Sequence, residues 1–252
     1  TNLILELPKR EIIKAFRASS STWFWTTLAP KLWDYAIEKD TQKEAQQSAD
    51  WTRERFLEAY DDMLKNGPPD SDISLVKTLF EAGFERMDIA SEVFDHLAAG
   101  HETTGASLAY LSWELSRPMN AYMQNEIYKE LVREFGEKPL ESLDLERIDK
   151  LEYLNGVIME VARLHAAIPG AEPRVISKEG SFTVELANGE KVSLPKGTIV
   201  SVQPWTIHND EAIFARPEQF RPERWIKDSD ETDEEFKTRY QMMRFRLFTF
   251  GH

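Results

Sequence analysis

One long apolar segment, residues 88–117, constrains the fold more than any other part of the sequence. Its apolar residues recur at spacings of three and four, which predicts a helix with one apolar face. Asp88 can cap its start, and Arg117-Pro118 stops it, because proline disfavours helical geometry at the residue before it. At ~1.5 Å per residue such a helix spans roughly 45 Å, so we expect it to cross a whole domain and to be mostly buried.

The centre of this helix carries residues that a buried helix normally avoids. The stretch reads Ala99-Gly100-His101-Glu102-Thr103-Thr104. A glycine inside a helix costs roughly 0.5–1 kcal/mol relative to alanine, and a buried carboxylate costs more unless it is paired. Because one place accepts both penalties, we take it as the candidate functional site.

The remaining sequence predicts further helices followed by a β-rich region. Residues 168–202 switch to alternating apolar positions on both sides of Asn188-Gly189, which predicts a hairpin within a small sheet of three or so strands. Residues 226–239 are mostly charged and predict a solvated loop or a short surface helix. The fold class is therefore mainly α with a small antiparallel β-sheet. The first predicted helices cover residues 1–29 and residues 30–66, the latter with a break or solvated stretch within 38–50. Further helices are predicted over residues 73–82, over 122–135 up to Gly136, and over 150–165 with Asp149 as the cap. Residues 139–145 are predicted to form a loop.

Composition excludes several classes of function. A net charge of −13 argues against nucleic acid as a partner. The 252 residues contain no cysteine, which excludes disulfides, cysteine-ligated zinc and a cysteine nucleophile among them. No run of ~18 apolar residues is present, so we predict no membrane span within the chain, and no signal peptide is visible. The first residue is threonine, and we expect the true N-terminus to lie further upstream.

Two hydrolase classes are tested first and rejected. His101-Glu102 begins the zinc-protease pattern HExxH, but Gly105 stands where the second histidine must be. No G-x-S-x-G elbow occurs, and Thr103-Thr104 do not lie on a strand-to-helix turn. A separate aromatic cluster, residues 23–25, has two interpretations, namely core packing or a mobile lip that is membrane-facing or gives access to a ligand.

A succession of motifs then points to a family. Each motif is weak alone, but their order and spacing make coincidence a poor explanation. The motifs are Ala99-Gly100-x-Glu102-Thr103-Thr104, Glu160-x-x-Arg163, Leu164-His165 with Pro169 and Pro173-Arg174, Pro222-Glu223-Arg224-Trp225, and Phe250-Gly251-His252. Over roughly residues 70–252 the chain resembles the cytochrome P-450 superfamily of haem-thiolate monooxygenases, specifically its eukaryotic, fungal-like members.

The resemblance implies one incomplete cytochrome P-450-like domain spanning residues 1–252. Residues 1–87 supply helices ahead of a central oxygen-binding helix, residues 88–117, and residues 118–252 supply later helices, the hairpin region and the start of the haem-binding loop. Ala99 and Gly100 are expected over the haem face, where a missing side chain leaves room for dioxygen. Glu102 and Thr103 are the expected catalytic residues, which hold the water chain that delivers protons. A mid-helix threonine can instead bond a carbonyl one turn back, and Glu102 can instead pair structurally.

The resemblance also assigns residues outside the central helix. Alone, Glu160 and Arg163 lie three residues apart on a helix and would form a surface ion pair worth under ~1 kcal/mol. Within the family they join Arg224 in a buried network that serves folding and haem incorporation. The remaining assignments are haem contacts: Arg174 and His208 at the propionates, with surface or turn roles as the alternative, and Phe250 and Gly251 in the haem-binding loop.

Two departures from the family pattern matter. Ala166-Ala167 replace the usual double proline, which should loosen that turn. The haem-binding loop reads Phe-x-x-Gly-x-Arg-x-Cys, and the chain stops at His252 inside that pattern. The iron-ligating cysteine is therefore expected just beyond His252, and the 252 residues alone supply no metal ligand and are not expected to be active.

The resemblance finally implies cofactors, partners and a location. Haem b carries the iron, NADPH acts indirectly through an electron-donor reductase, and one atom of dioxygen is inserted into a lipophilic organic substrate. The complete protein is expected at the cytoplasmic face of the endoplasmic-reticulum membrane. The alternatives are a truncated or degenerate, non-catalytic helical product without haem ligation, and an unrelated helical scaffold whose motif order is accidental.

Overall fold

A computed structural model describes residues 21–22, 25–26, 29–66, 75–136, 144–177, 181–186 and 188–247. These residues are mostly helical. The helices are α1 (Trp33–Ala36), α2 (Lys39–Asn66), α3 (Leu75–Glu81), α4 (Arg86–Ser116), α5 (Ala121–Phe135), α6 (Leu145–Ile148), α7 (Glu152–Leu164), α8 (Pro204–His208) and α9 (Asp233–Leu247). Short 3-10 turns occupy Pro30–Leu32, Pro118–Asn120 and Pro222–Trp225.

Several predictions fall outside the described residues. They concern most of the helices expected within residues 1–29, the aromatic pair Trp23-Phe24, most of the loop at 139–145, and the haem-loop residues Phe250 and Gly251. Among the described residues, no helix combines the length and the apolar character that crossing a membrane requires.

The chain divides into two compact units, residues 1–101 and residues 102–252. In the first unit, Tyr60 and Met63 of α2 pack against Ile89 of α4, with α3 lying over them through Val76 and Leu79. This apolar seam anchors the C-terminal half of α2. The predicted break is found at Ile37–Glu38, directly before the polar first half of that helix.

The core of the second unit has two clusters. Met123 of α5, Val157 and Val161 of α7, and Phe220 form the first cluster. Phe214, Trp225, Met243 and Leu247 form the second. Because Met243 and Leu247 belong to α9, that helix is longer than the charged residues 226–239 predict, and its C-terminal turns are anchored in the core.

The β-rich region forms two two-stranded antiparallel sheets instead of the single sheet expected from the sequence. The predicted hairpin is present, as β2 (Ser181–Glu185) pairs with β3 (Lys191–Pro195). The strand β4 (Ile199–Val202) pairs with β1 (Glu172–Val175), which was not predicted because Pro173 interrupts its alternation. Gly197, at φ 87°, turns the chain after β3 and donates its N–H to the Ile176 carbonyl (2.9 Å), so β4 returns to β1.

Helix α4 ends where the sequence predicts, because Arg117 adopts an extended backbone ahead of Pro118. The expectation that α4 is mostly buried is wrong. Among its described side chains only Ile89, Ala90 and Glu114 are buried. Several large apolar side chains in its middle and C-terminal half are 41–56% exposed: Leu97, Leu108, Tyr110 and Trp113.

The predicted cap of α7 is also wrong. Asp149 lies in the turn that ends α6, and the N-cap position of α7 is Leu151, which has no capping side chain. The carboxylate of Glu130 on α5 caps the helix instead. It accepts the backbone N–H groups of Tyr153 (2.9 Å) and Leu154 (3.0 Å), two of the donors that a helix start leaves unpaired.

Candidate functional site

The central motif lies on adjacent turns of α4, which continues without a break through Gly100 and Gly105. Ala99, Gly100 and Glu102 are exposed, and Thr103 is half-buried. A Cβ built on Gly100 meets no atom within 4 Å. The helix therefore presents bare backbone at this point, with an acid and a hydroxyl within the next turn.

The second predicted group of residues meets around Glu160 on α7. Arg163 grips the Glu160 carboxylate with two hydrogen bonds, from Nη2 to Oε1 (2.7 Å) and from Nε to Oε2 (2.9 Å). Arg224 donates Nε to Oε1 at 2.9 Å. The side chains of Glu160 and Arg163 are fully buried, and that of Arg224 is 5% exposed. The pair is therefore a core feature, and the surface ion pair that its spacing favours is not what the chain forms.

Glu160 also accepts hydrogen bonds from two donors that the predicted network does not include. The Trp225 indole Nε1 donates to Oε2 at 2.9 Å, and the Arg221 backbone N–H donates to Oε1 at 3.0 Å. Glu160 thus accepts five hydrogen bonds on its two oxygens. The position of Trp225 beside Arg224 is the sequence signal that could have identified it.

Backbone carbonyls balance the surplus positive charge of the network. Two guanidinium groups face one carboxylate, and burial lowers the pKa of Arg224 while the Glu160 charge opposes that shift. The remaining N–H groups donate to carbonyls of the following loop. For Arg163 these are His208 (2.8 Å) and Gln219 (3.1 Å), and for Arg224 they are Ala215 (3.1 Å), Arg216 (3.3 Å) and Gln219 (3.3 Å). Removing one partner from such a buried set costs ~3–5 kcal/mol.

A further arginine, Arg239 on α9, holds this loop from outside. It donates to the backbone carbonyls of Arg224 and Ile226 and grips Glu231 with two hydrogen bonds of 2.8 and 2.7 Å. The charge pattern of residues 226–239 predicts only a solvated loop or a short surface helix. Arg239 shows that one of these side chains fastens α9 to the network.

The two predicted propionate contacts lie in different environments. Arg174 on β1 is exposed, and its Nη1 donates to the adjacent Pro173 carbonyl at 2.9 Å. His208 is 2% exposed and donates Nε2 to the Leu247 carbonyl at 3.1 Å. Its Nδ1 is the one buried side-chain polar atom, within the part of the chain that the structure describes, that lacks a hydrogen-bond partner. Burial lowers the pKa of His208.

No metal centre built from side chains is visible in the described ranges. They contain no group of three or more histidine, cysteine, aspartate and glutamate side chains placed to hold a metal ion. Gly105 stands at the position of the second zinc ligand, so the HExxH pattern is incomplete in the sequence.

Comparison with known proteins identifies the family. The model of the family described as cytochrome P450 matches residues 7–246. The chain belongs to the cytochrome P450 family. Relatives include cytochrome P450 monooxygenase avaI of Aspergillus versicolor, 29% identical over 152 residues that cover 60% of this chain and 36% of the relative. Cytochrome P450 monooxygenase orf2 of Aspergillus niger is 31% identical over 176 residues, covering 69% and 33%.

Other cytochrome P450s extend the likeness beyond fungi and to the fold. The (+)-menthofuran synthase of Mentha piperita is 29% identical over 192 residues, which cover 72% of this chain and 35% of the relative. A zebrafish cytochrome P450, in a structure with progesterone, superposes with a TM-score of 0.66 at 24% identity, covering 89% of this chain and 51% of that one. The chain spans about a third of the length of these curated relatives.

Membership of the cytochrome P450 family implies a haem iron. A Cβ at Gly100 would meet no atom within 4 Å, so the described residues leave space beside this turn of α4. No cysteine occurs in the 252 residues, so the axial thiolate is not among them.

Proposed function

We propose that the whole protein is a haem-dependent monooxygenase that inserts one atom of dioxygen into a lipophilic organic substrate. One observation carries the proposal: the Ala99–Thr104 motif lies on an unbroken helix with open space at Gly100, in a chain of the cytochrome P450 family. Haem, when bound, supplies the iron at which dioxygen is reduced.

Within this proposal Thr103 and Glu102 move protons. The hydroxyl of Thr103 accepts and donates hydrogen bonds, and the carboxylate of Glu102, exposed on the same turn, can exchange protons with solvent. Together they provide a proton path from water to the oxygen side of the site. Ala99 and Gly100 contribute by leaving the approach open.

Other residues hold the cofactor or the fold around it. Arg174, an exposed residue of β1, is the proposed cation for a haem propionate. His208 is proposed as a second propionate contact, and Phe250 and Gly251 as part of the haem-binding loop. Glu160, Arg163 and Arg224 contribute to folding and haem incorporation through their buried hydrogen bonds.

The partners and location follow from the family and are proposals for the whole protein. Electrons come from NADPH through a reductase, at the cytoplasmic face of the endoplasmic-reticulum membrane. The names of two similar proteins, a menthofuran synthase and a zebrafish cytochrome P450 in a structure with progesterone, support a lipophilic substrate of small molecular size.

A spectrum tests the proposal. The whole protein, reduced and exposed to carbon monoxide, is expected to give a Soret band at the position typical of thiolate-ligated haem. A haem band at the position typical of histidine ligation, or no haem at all, would instead support the alternative of a degenerate, non-catalytic product.

A further inference from the structure

A further buried carboxylate lies near the C-terminal end of α4. Glu114 is 0% exposed and accepts three hydrogen bonds. Asn120 Nδ2 (2.8 Å) and Arg117 Nη1 (3.0 Å) donate to Oε2, and both belong to the turn that follows the helix. The third bond joins Oε1 to Nε2 of His165 at 2.8 Å, and His165 lies 51 residues away in sequence.

His165 occupies the C-cap of α7, two residues after Arg163. Its ring stacks on the ring of Tyr110, with centroids 4.4 Å apart and planes at 1°. The edge of Trp113 closes a second side at 5.7 Å and 84°. One histidine at the end of α7 is therefore held by three side chains of α4.

The helical phase of these contacts connects them to the proposed proton path. Tyr110 follows Thr103 by seven residues, and Glu114 follows Thr103 by eleven residues. At ~3.6 residues per turn, both lie within about 20° of the line that runs along α4 through Thr103. Eleven residues also correspond to about 16 Å along the axis. Whatever sets the rotation of α4 at Glu114 therefore sets the direction in which Thr103 faces.

The apolar contacts of α4 in this region specify rotation less strictly. Leu111 and Leu115 pack against the cluster around Met123 and Val157, and apolar burial is non-directional. Hydrogen bonds to Glu114 require defined angles as well as distances. We propose that His165 is a positioning residue, which fixes the rotation of α4 about its axis and thereby orients Thr103. This inference rests on the proposed function only in giving Thr103 a role.

The test measures the rotation directly and needs no haem. Ala109 on α4 and Tyr128 on α5, both at exposed positions, are replaced in the whole protein by a ketone-bearing amino acid, which takes a spin label without reacting with the cysteine expected beyond His252. The distance between the labels is measured by pulsed electron paramagnetic resonance. A 40° rotation of a helix of ~5–6 Å radius displaces a label by about 4 Å.

We expect His165→Phe, which keeps a ring against Tyr110 but removes the Nε2 donor, to shift or broaden the distance distribution by about that amount. His165→Gln retains an amide donor and is expected to stay close to the unchanged protein. His96→Phe is the matched control, because His96 is an exposed histidine on α4 whose Nδ1 bonds the Glu92 carbonyl of its own helix.

A second variant keeps the test decisive if His165→Phe fails to fold. Tyr110→Ala removes the ring on which His165 stacks, at a position 46% exposed, and is expected to broaden the same distribution. The inference is overturned if the folded variants keep the original distance, if His96→Phe moves it equally, or if His165→Gln moves it as far as His165→Phe.

A separate measurement on the haem-loaded whole protein tests whether His165 affects the reaction through Thr103. His165→Phe should lower product formed per dioxygen consumed by about threefold or more, since small misplacements of a reacting group are costly. If this ratio is unchanged while haem is bound, His165 does not affect the reaction through the orientation of Thr103. Failure of the proposed function would appear separately, as absence of haem, and would leave the label distances informative.

Discussion

At the scale of single residues, Thr103 carries the most specific functional prediction. Thr103→Ala is expected to leave α4 intact but to uncouple dioxygen consumption from product formation, because it removes the hydroxyl that we propose to hold the proton path. The measurement is product formed per dioxygen consumed by the whole protein. Thr103→Ser retains the hydroxyl and should retain coupling, and Thr104→Ala, at the neighbouring exposed threonine, is the matched control. Unchanged coupling in Thr103→Ala would remove Thr103 from the mechanism.

Trp225 provides a residue-scale prediction about stability. Trp225→Phe preserves an aromatic ring but removes the indole N–H bonded to the buried Glu160 carboxylate. Hydrogen bonds to charged groups contribute ~1.5–3 kcal/mol, so the free energy of unfolding should fall by about that amount in urea titrations. Trp205→Phe, at a tryptophan 59% exposed, should change it by less than ~0.5 kcal/mol. Equal losses in the two variants would contradict the role given to the indole.

At the scale of elements, the close approach of α7 to the Pro222–Trp225 turn depends on Gly156. A Cβ at that position would lie 2.9 Å from the Pro222 carbonyl oxygen. Gly156→Ala should therefore destabilise the protein by ~1–3 kcal/mol, the usual cost of overpacking a core. Gly105→Ala on α4, where a Cβ meets nothing within 4 Å, should act in the opposite direction by ~0.5–1 kcal/mol. Thermal unfolding of both variants measures the difference, and a stabilising Gly156→Ala would show that the turn can move away.

Elements could be predicted from the sequence where their determinants are local. Pro118 ends α4, Gly136 follows α5, and Asn188-Gly189 joins β2 to β3, each through the conformational preference of one or two residues. The cap of α7 could not be predicted this way. Its carboxylate, Glu130, lies 23 residues before the amide that it receives, and no local pattern reports such a distance.

The residues of the candidate site also differ in whether a sequence pattern or only distant contacts define their roles. Residue order and family resemblance were enough to name Glu160, Arg163 and Arg224, whose burial then depends on partners 61 to 65 residues beyond Glu160. Arg239, by contrast, sits in a run of charges whose composition predicts only solvent exposure. Its role depends on the backbone carbonyls to which it donates, and the charge pattern does not indicate these contacts.

At the scale of the whole molecule, acid sensitivity follows from His208. Burial lowers its pKa in the folded chain below the ordinary value of about 6.5. As the pH falls through that range, the unfolded chain binds a proton that the folded chain does not, so the free energy of unfolding must decrease. The loss begins near the ordinary pKa and is complete below the lowered one.

Urea titrations at about pH 7.5 and pH 5.5 measure this dependence. His208→Gln should reduce the difference in unfolding free energy between the two pH values, because the group that titrates differently is gone. The exposed His96 supplies the control, as His96→Gln should keep the full difference. Identical pH dependence in the His208→Gln variant would assign the acid sensitivity to other groups.

The sequence separation within the Glu160 network has a consequence for biosynthesis. Arg224 follows Glu160 by 64 residues, which a ribosome adds in about 3–13 s at ~5–20 residues per second. During that interval the Glu160 carboxylate of α7 lacks the hydrogen-bond donors of residues 221–225. The Arg163 guanidinium likewise lacks its acceptors, the backbone carbonyls of His208 and Gln219, until those residues are added. A nascent chain should therefore gain protease resistance in α7 in one late step, after Arg224 and Arg239 have left the exit tunnel. Stalled chains of graded length would show this as an abrupt rise, where a gradual rise would indicate that α7 folds without the network.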